Sequence, residues 1–293
     1  MSKMQKLANS ILEKLFMCNA TAKEIDFLLY IARFQNQYGV VQGVYYKDVC
    51  KNAKLSYQAF YDVKKSLTEK GIIRTERNYS GDWDITILDN DFSTKESFGR
   101  GYINLGHYIF EQDNFRKMKA GAKLMAMDIL KINMTGGTKY EIGTKKFYEK
   151  YTALLSVQKK IVEEYLRELK LFFYVGIKNK KYFIALRNVM KKFLKKTENE
   201  QYQEYSIRTA LRRNRITKED ITEQEQREVK TLLRQYNKEI TVNDGAAHYF
   251  DLAAIIRRSL ERINVKEKNK YKWQRVLKPK LIHMLLRQEL GLA

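Results

Sequence analysis

One order of elements occurs twice in this chain. Thr21 is placed to cap a helix, with Glu24 in the capping-box position, and Ile25, Leu28, Leu29 and Ala32 fall on one face up to about Phe34. Gly39 and Gly43 interrupt the pattern, and Tyr46 to Ala53 reads as a short helix. Ser56 caps a longer helix to about Lys70, with Phe60, Val63 and Leu67 inward, and Gly71 stands where a glycine often ends a helix. The β-rich runs 72–77 and 83–88 flank a Ser80-Gly81 turn and read as a hairpin.

The order returns in the next stretch of sequence. Ala120 to Asn133 is a helix with Leu124, Met127 and Leu130 on one face, broken by Gly136-Gly137. Lys145 to Ala153 is a short helix, and Leu155-Ser156 repeats Leu55-Ser56. A longer helix runs to about Lys170, where Val162 and Leu166 answer Val63 and Leu67 with a one-residue shift. The runs 172–177 and 182–186, joined by Lys178 to Lys181, make a second hairpin. A repeated unit is the first thing to read in a chain, because each copy supports the other.

Around these copies, Met4, Leu7, Ala8, Ile11, Leu12, Leu15 and Phe16 are spaced as an amphipathic helix over 4–16, able to pack on the next unit or on another chain. Residues 92–101 read as a linker, and Tyr102 to Leu105 as a short strand. From about residue 188 the pattern is helical only. Thr222 and Glu225 form a second capping box ahead of Val229, Leu232, Leu233 and Tyr236. Asn243-Asp244-Gly245 reads as a turn, Ala246 to Ile263 as a strong helix, and 276–290 as a last one. The expected fold class is mainly α with small β-hairpins. Its expected divisions are an N-terminal helix at 1–19, a first unit at 20–91, a second at 102–187 and an all-helical unit at 188–293.

The partner class follows from charge. Lys and Arg number 56 against 34 Asp and Glu, a net +22. Roughly half of that excess lies on each side of residue 190, so this is not a neutral domain with a basic tail. A soluble chain this basic points to a polyanion, nucleic acid before anionic membrane, against the plainer reading of a basic soluble surface. The excess of Lys, Ile, Asn and Tyr hints at an AT-rich genome. No apolar run approaches the roughly 18 residues of a membrane span. The interruption of the N-terminal apolar residues by Glu13 and Lys14 argues against a signal peptide. Cys18 and Cys50 are too few for a disulfide scaffold, which suits a reducing cytoplasm.

The stretch Leu55 to Ile73 with the hairpin after it, and its counterpart over 102–187, resemble tandem winged helix-turn-helix DNA-binding proteins of bacteria, plasmids and phages. Tyr102-Ile103-Asn104-Leu105 followed by Ala120-Gly121-Ala122-Lys123-Leu124 is similar to the opening of phage and plasmid replication proteins. The second copy departs from the pattern. Lys170-Leu171 replaces the helix-ending glycine, and Lys159 falls where Phe60 sits. Its wing is therefore open to a DNA or a protein contact.

The resemblance implies that the helix from Ser56 enters the major groove of double-stranded DNA. Ser56, Tyr57, Gln58, Tyr61 and Lys65 would face outward, with Gln58 suited to adenine and Tyr57 or Tyr61 to phosphate or a thymine methyl. Lys64 and Lys65 would anchor the backbone. Arg74, Arg77, Asn78 and Tyr79 would form the first wing, an arginine there suiting a narrow AT-rich minor groove. In the second unit Ser156, Gln158, Lys159 and Lys160 would start the equivalent helix, and Lys178, Lys180 and Lys181 would tip its wing. For each residue the plain alternative is a solvated helix face. Arg208 to Arg215 is a further basic stretch, either a phosphate clamp or a solvated face. Trp83 reads as core closing the hairpin.

Catalytic signatures are missing. His107, His248 and His283 are scattered, no His-x-His pair or phosphate-binding loop occurs, and no tyrosine follows His283 and Arg287 as in a recombinase. Asp82, Asp84, Asp89 and Asp91 cluster near the first hairpin, where turn and cap roles outweigh a metal site. The expectation is a non-enzymatic protein with no metal and no cofactor. Transcription regulation comes first, replication initiation at repeated origin sites second, and a nucleoid or RNA binder acting by charge third. A homodimer through the N- or C-terminal helices, no membrane partner and a nucleoid-associated place in the cytoplasm complete the reading.

Overall fold

The computed structural model describes residues 6–78, 81–94, 96, 99–106, 108–134, 140–191, 198–217, 219–243, 251–266 and 274–292. They are mainly α-helical, with small antiparallel sheets.

The described residues open with a strand, residues 1–5 lying outside them. Lys6–Ala8 (β1) precedes a helix at Asn9–Met17 (α1), which corrects the helix expected over 4–16. β1 pairs antiparallel with Tyr102–Asn104 (β5), with Leu7 opposite Ile103. Buried amides hold it extended. The Ala8 amide donates to Asn90 Oδ1 at 2.7 Å, and Gln35 Nε2 donates to the Lys6 carbonyl at 2.5 Å. Helical spacing of apolar residues was a true signal only from Asn9 onward, where Ile11, Leu12, Leu15 and Phe16 are buried. That face is covered by a helix of the same chain at Ala120–Met134, so it is spent inside the molecule.

In the first unit Ala22–Ile31 (α2) is capped by the expected Thr21–Glu24 box. Val40–Val44 (β2) is an unexpected strand that contains Gly43, expected as a breaker. Gly43 lies at the irregularity between Val41 and Val44 with φ +61°, a bulge rather than a stop. Tyr46–Ala53 (α3) leads through left-handed Lys54 to Tyr57–Glu69 (α4), where the Ser56 hydroxyl caps the Ala59 amide. Phe60, Val63 and Leu67 are buried, and Gly71 takes φ +65° after the helix. Ile73–Arg77 (β3) and Trp83–Ile87 (β4) form the hairpin, giving the sheet order β2-β4-β3.

The second unit follows the same path. After Asp113–Lys117 (α5) and Ala120–Met134 (α6) come Tyr140–Gly143 (β6), Thr144–Leu155 (α7), Lys159–Leu169 (α8), Phe173–Lys178 (β7) and Lys181–Leu186 (β8). The sheet order β6-β8-β7 repeats that of the first unit. Gly136-Gly137 lie outside the described residues. The expected linker at 92–101 is tied down at its ends: Phe92 is buried, its amide donates to Gln37 O at 2.6 Å, and Gly101 O accepts from the Asn9 amide at 3.1 Å, while residues 95, 97 and 98 lie outside the described residues.

Buried side chains from Leu7 to Tyr205 form one continuous core under both units. Within it Lys123 of α6 reaches both carboxylate oxygens of Asp26 of α2 at 2.6 Å. A separate core, Ile207 to Leu286, belongs to the C-terminal helices. These are Glu198–Arg213 (α9), Glu223–Gln235 (α10, with the expected Thr222–Glu225 box), Asn237–Asn243 (α11), Leu252–Lys266 (α12) and Pro279–Glu289 (α13). The helix expected from Ala246 starts at Leu252, where Asp251 Oδ1 accepts from the Ala253 amide. Residues 244–250, including Asp244-Gly245 of the expected turn, lie outside the described residues.

Candidate nucleic-acid interface

α4 presents Ser56, Tyr57, Gln58 and Lys65 to solvent, with Tyr61 and Lys64 half-exposed. Tyr57 is the most open ring, 58% exposed. Tyr46 of α3 packs edge-on against Tyr57 at 5.1 Å, and Tyr57 lies 4.9 Å from Tyr61. A hydrogen bond with Tyr57, then burial, raises the Tyr61 phenol above its ordinary value. Gln58 Nε2 donates to Asp62 Oδ1 at 2.7 Å, so a bidentate contact with a base edge would break that bond. Lys64 Nζ sits 3.2 Å above the Trp83 ring, and burial, with the nearby Arg77 charge, lowers its ammonium pKa. Trp83 packs half-buried against the core, as expected, and carries Lys64 over its ring. Lys65 lies 3.8 Å from Glu69 on a fully solvated face, a weak contact.

Arg74 and Arg77 of β3 are exposed, and Arg74 lies 3.4 Å from Glu76. Asn78 closes the hairpin loop: its Oδ1 accepts from the Asp82 amide at 3.1 Å and its Nδ2 donates to Asp84 Oδ1 at 3.1 Å. Tyr79 lies outside the described residues.

The second unit is registered differently from the sequence alignment. Ser156 does not start its helix; it ends α7 in the left-handed conformation, φ +51°, as Lys54 ends α3. Gln158 is the N-cap, and Ser156 is thus the counterpart of Lys54. Counted from the caps, Val162 and not Lys159 occupies the Phe60 position, and both are buried. α8 leaves through tight turns, with Lys170 N on Arg167 O and Leu171 N on Glu168 O, and so needs no glycine. Lys159 stands 4.7 Å over Tyr148 and 3.9 Å from Glu163, while Lys160 is exposed.

Asn179 and Lys180, at φ +50° and +56°, make the two-residue tip of the second hairpin. Lys178 and Lys181 face each other at the strand ends, and Lys181 pairs with Glu141 at 2.8 Å. Beside them Tyr174 and Ile177 are exposed on β7, an edge strand.

The basic stretch Arg208 to Arg215 is divided: Arg208 and Arg215 are exposed, whereas Arg212 and Arg213 are not a solvated face. α9 lies against β2, and its Arg212 and Arg213 turn inward onto the carboxylates of the first unit. Arg212 meets Asp82 at 2.9 Å, Asp48 at 3.1 Å and the Gly43 carbonyl at 2.5 Å, and its guanidinium lies 4.5 Å from the Tyr45 ring. Arg213 meets Asp84 at 2.5 Å, and Asp84 also accepts from the Gly43 amide at 2.6 Å. Asp82 and Asp84 thus do more than cap the hairpin turn; they hold the C-terminal helices. Alternating acids about the start of one strand and consecutive arginines on one helix were the available signal, but nothing local joined them.

Among the described residues no group of three His, Cys, Asp or Glu is placed to hold a metal ion. Burial raises both the Cys18 and Cys50 thiols. No described helix is long and apolar enough to cross a membrane. No known family model, curated protein or solved structure matches the chain.

Proposed function

We propose that the chain is a non-enzymatic, sequence-specific double-stranded DNA-binding protein of the nucleoid, built from two winged helix-turn-helix units and regulating transcription. The observation that carries this reading is the repeated path with its repeated sheet order, β2-β4-β3 and β6-β8-β7. In each copy a helix with an exposed N-terminus stands beside a hairpin bearing exposed cations. Such a helix inserts its first turn into the major groove, while the hairpin lies along phosphate. Tyr57 and Gln58 begin one helix, Lys159 and Lys160 the other; Arg74 and Arg77 flank one, Lys178 and Lys180 the other.

Replication initiation is the second reading. It draws support from the core shared by both units, which would hold two reading helices at one separation for a repeated site. Selection of source-genome fragments by the purified protein, near physiological salt, tests both. Isolated sites beside promoters support the regulator, and a clustered array supports the initiator. Even coverage of the genome rejects both, because the counterion contribution is sequence-independent.

A further inference from the structure

We propose that the first unit also takes unpaired bases, so that the same protein binds single-stranded DNA through a strip of tyrosines along α3 and α4. The proposal rests on the DNA-binding reading and names a second form of that substrate.

The strip is built from Tyr46, Tyr57 and Tyr61, whose successive ring centroids lie 5.1 and 4.9 Å apart. Tyr45 adjoins Tyr46 at 5.1 Å, but its ring is taken by Arg212. The strip ends at Lys64, which stands 5.9 Å from the Tyr61 ring before reaching Trp83. Lys47 lies 6.0 Å from Tyr46 at the other end, and Arg77 lies 5.9 Å from Trp83. Phe60 beneath is fully buried and meets both Tyr46 and Tyr61, so the tyrosines are seated on core. Aromatic rings with cations at their margins are the composition of a stacking platform: bases lie on rings and phosphates meet the cations.

A duplex meets this helix through base edges and phosphates, whereas an opened strand adds base faces that can lie on the rings. Gln58, the residue best suited to reading an edge, already donates to Asp62. An opened strand places bases on rings and keeps its phosphates toward Lys47, Lys64 and Arg77.

Trp83 supplies the readout. The chain has two tryptophans, and Trp273→Phe leaves Trp83, under Lys64, as the sole reporter. The probe is oligothymidylate of roughly 16 nucleotides, with heparin as a polyanion that lacks bases. The expected result is saturable quenching of Trp83 by oligothymidylate that heparin does not reproduce. Tyr57→Ala with Tyr61→Ala should weaken oligothymidylate binding at least tenfold, while Tyr57→Phe with Tyr61→Phe retains it; an unchanged urea midpoint shows that the variants fold. Equal binding of heparin and oligothymidylate, or a double alanine that binds as the parent does, overturns the proposal. Loss of preference among duplexes in the fragment selection, with oligothymidylate binding intact, would instead count against the duplex reading alone.

Discussion

Arg212 and Asp82 lie 130 residues apart and meet at 2.9 Å, joining the C-terminal helices to the turn of the first hairpin. The pair is mostly buried and shares its neighbourhood with Asp48 and the Gly43 carbonyl. Arg212→Ala should cost about 2–5 kcal/mol, because it strands a carboxylate at an interface. In a double-mutant cycle Arg212→Ala with Asp82→Ala should cost less than the sum of the single changes. Urea unfolding measures it, and strict additivity would deny the contact any energetic role.

Gly43 permits the same contact in another way. A Cβ there would fall inside contact distance of Thr209 and of Arg213 Nε, and the residue holds φ +61°. Gly43→Ala should therefore lose about 1–2 kcal/mol from backbone conformation alone, plus the displacement of α9. Hydrogen exchange should accelerate in α9 and β2 before it does in α8. Uniform exchange through the molecule would contradict this.

Lys123 and Asp26 present the opposite balance. The Lys123 side chain is fully buried, and burial lowers its pKa while raising that of Asp26. Lys123→Met alone should destabilise by about 3–5 kcal/mol, since an unpaired carboxylate remains. Lys123→Met with Asp26→Leu should recover most of that loss. A double variant as unstable as the single one would mean that the pair itself stabilises the joint between the two units.

Glu24 sets an acid limit. Burial pushes its carboxyl up, but hydrogen bonds from Lys70, Ser66 and the Thr21 amide outweigh burial and hold it below its ordinary 4.5. A depressed folded pKa means that the unfolded chain binds the proton more readily. The contribution is then complete above about pH 4.5 and is lost as pH falls through the lower folded value. Glu24→Gln should be less stable at neutral pH and show a shallower loss toward about pH 3. Parallel stability curves for the two proteins would place the acid sensitivity elsewhere.

The second hairpin offers a test of phosphate contact. Lys181 is already engaged with Glu141, so Lys178 and Lys180 are the cleaner positions. Lys178→Glu with Lys180→Glu should weaken binding to duplexes of any sequence and reduce the salt slope by about 2. Filter binding across a salt series reads both. An unchanged slope would remove this hairpin from the interface.

Local signals were legible where one stretch of sequence contains its own reason. The Thr21 and Thr222 boxes, the Ser56 cap and the short helix Tyr46–Ala53 all occur where local chemistry marks them. Strands whose partners are remote were not. Val40–Val44 pairs with residues 83–86, contains a glycine, and has no turn of its own to mark it. Lys6–Ala8 carries helical spacing and is extended where Tyr102–Asn104 lies alongside and Asn90 and Gln35 bond its backbone. In the second unit the repeated Leu-Ser dipeptide misled the alignment. Leu55-Ser56 opens a helix while Leu155-Ser156 closes one, and only the backbone at Ser156 distinguishes them. Of the candidate interface, the exposure of the α4 face followed from its inward residues. The inward turn of Arg212 and Arg213 did not, because charge in a sequence does not say which side of a helix meets a carboxylate.

The strand at Lys6–Ala8 also has a consequence in time. Its partner, Tyr102–Asn104, is synthesised only after every residue of the first three-stranded sheet. A nascent chain can therefore assemble that sheet while Lys6–Ala8 still presents a bare strand edge. Residues made before the rest of the unit are among the last of it to be paired. Closure of the N-terminal edge thus belongs to the emergence of the second unit, and translation past residue 104 is the event that completes the first.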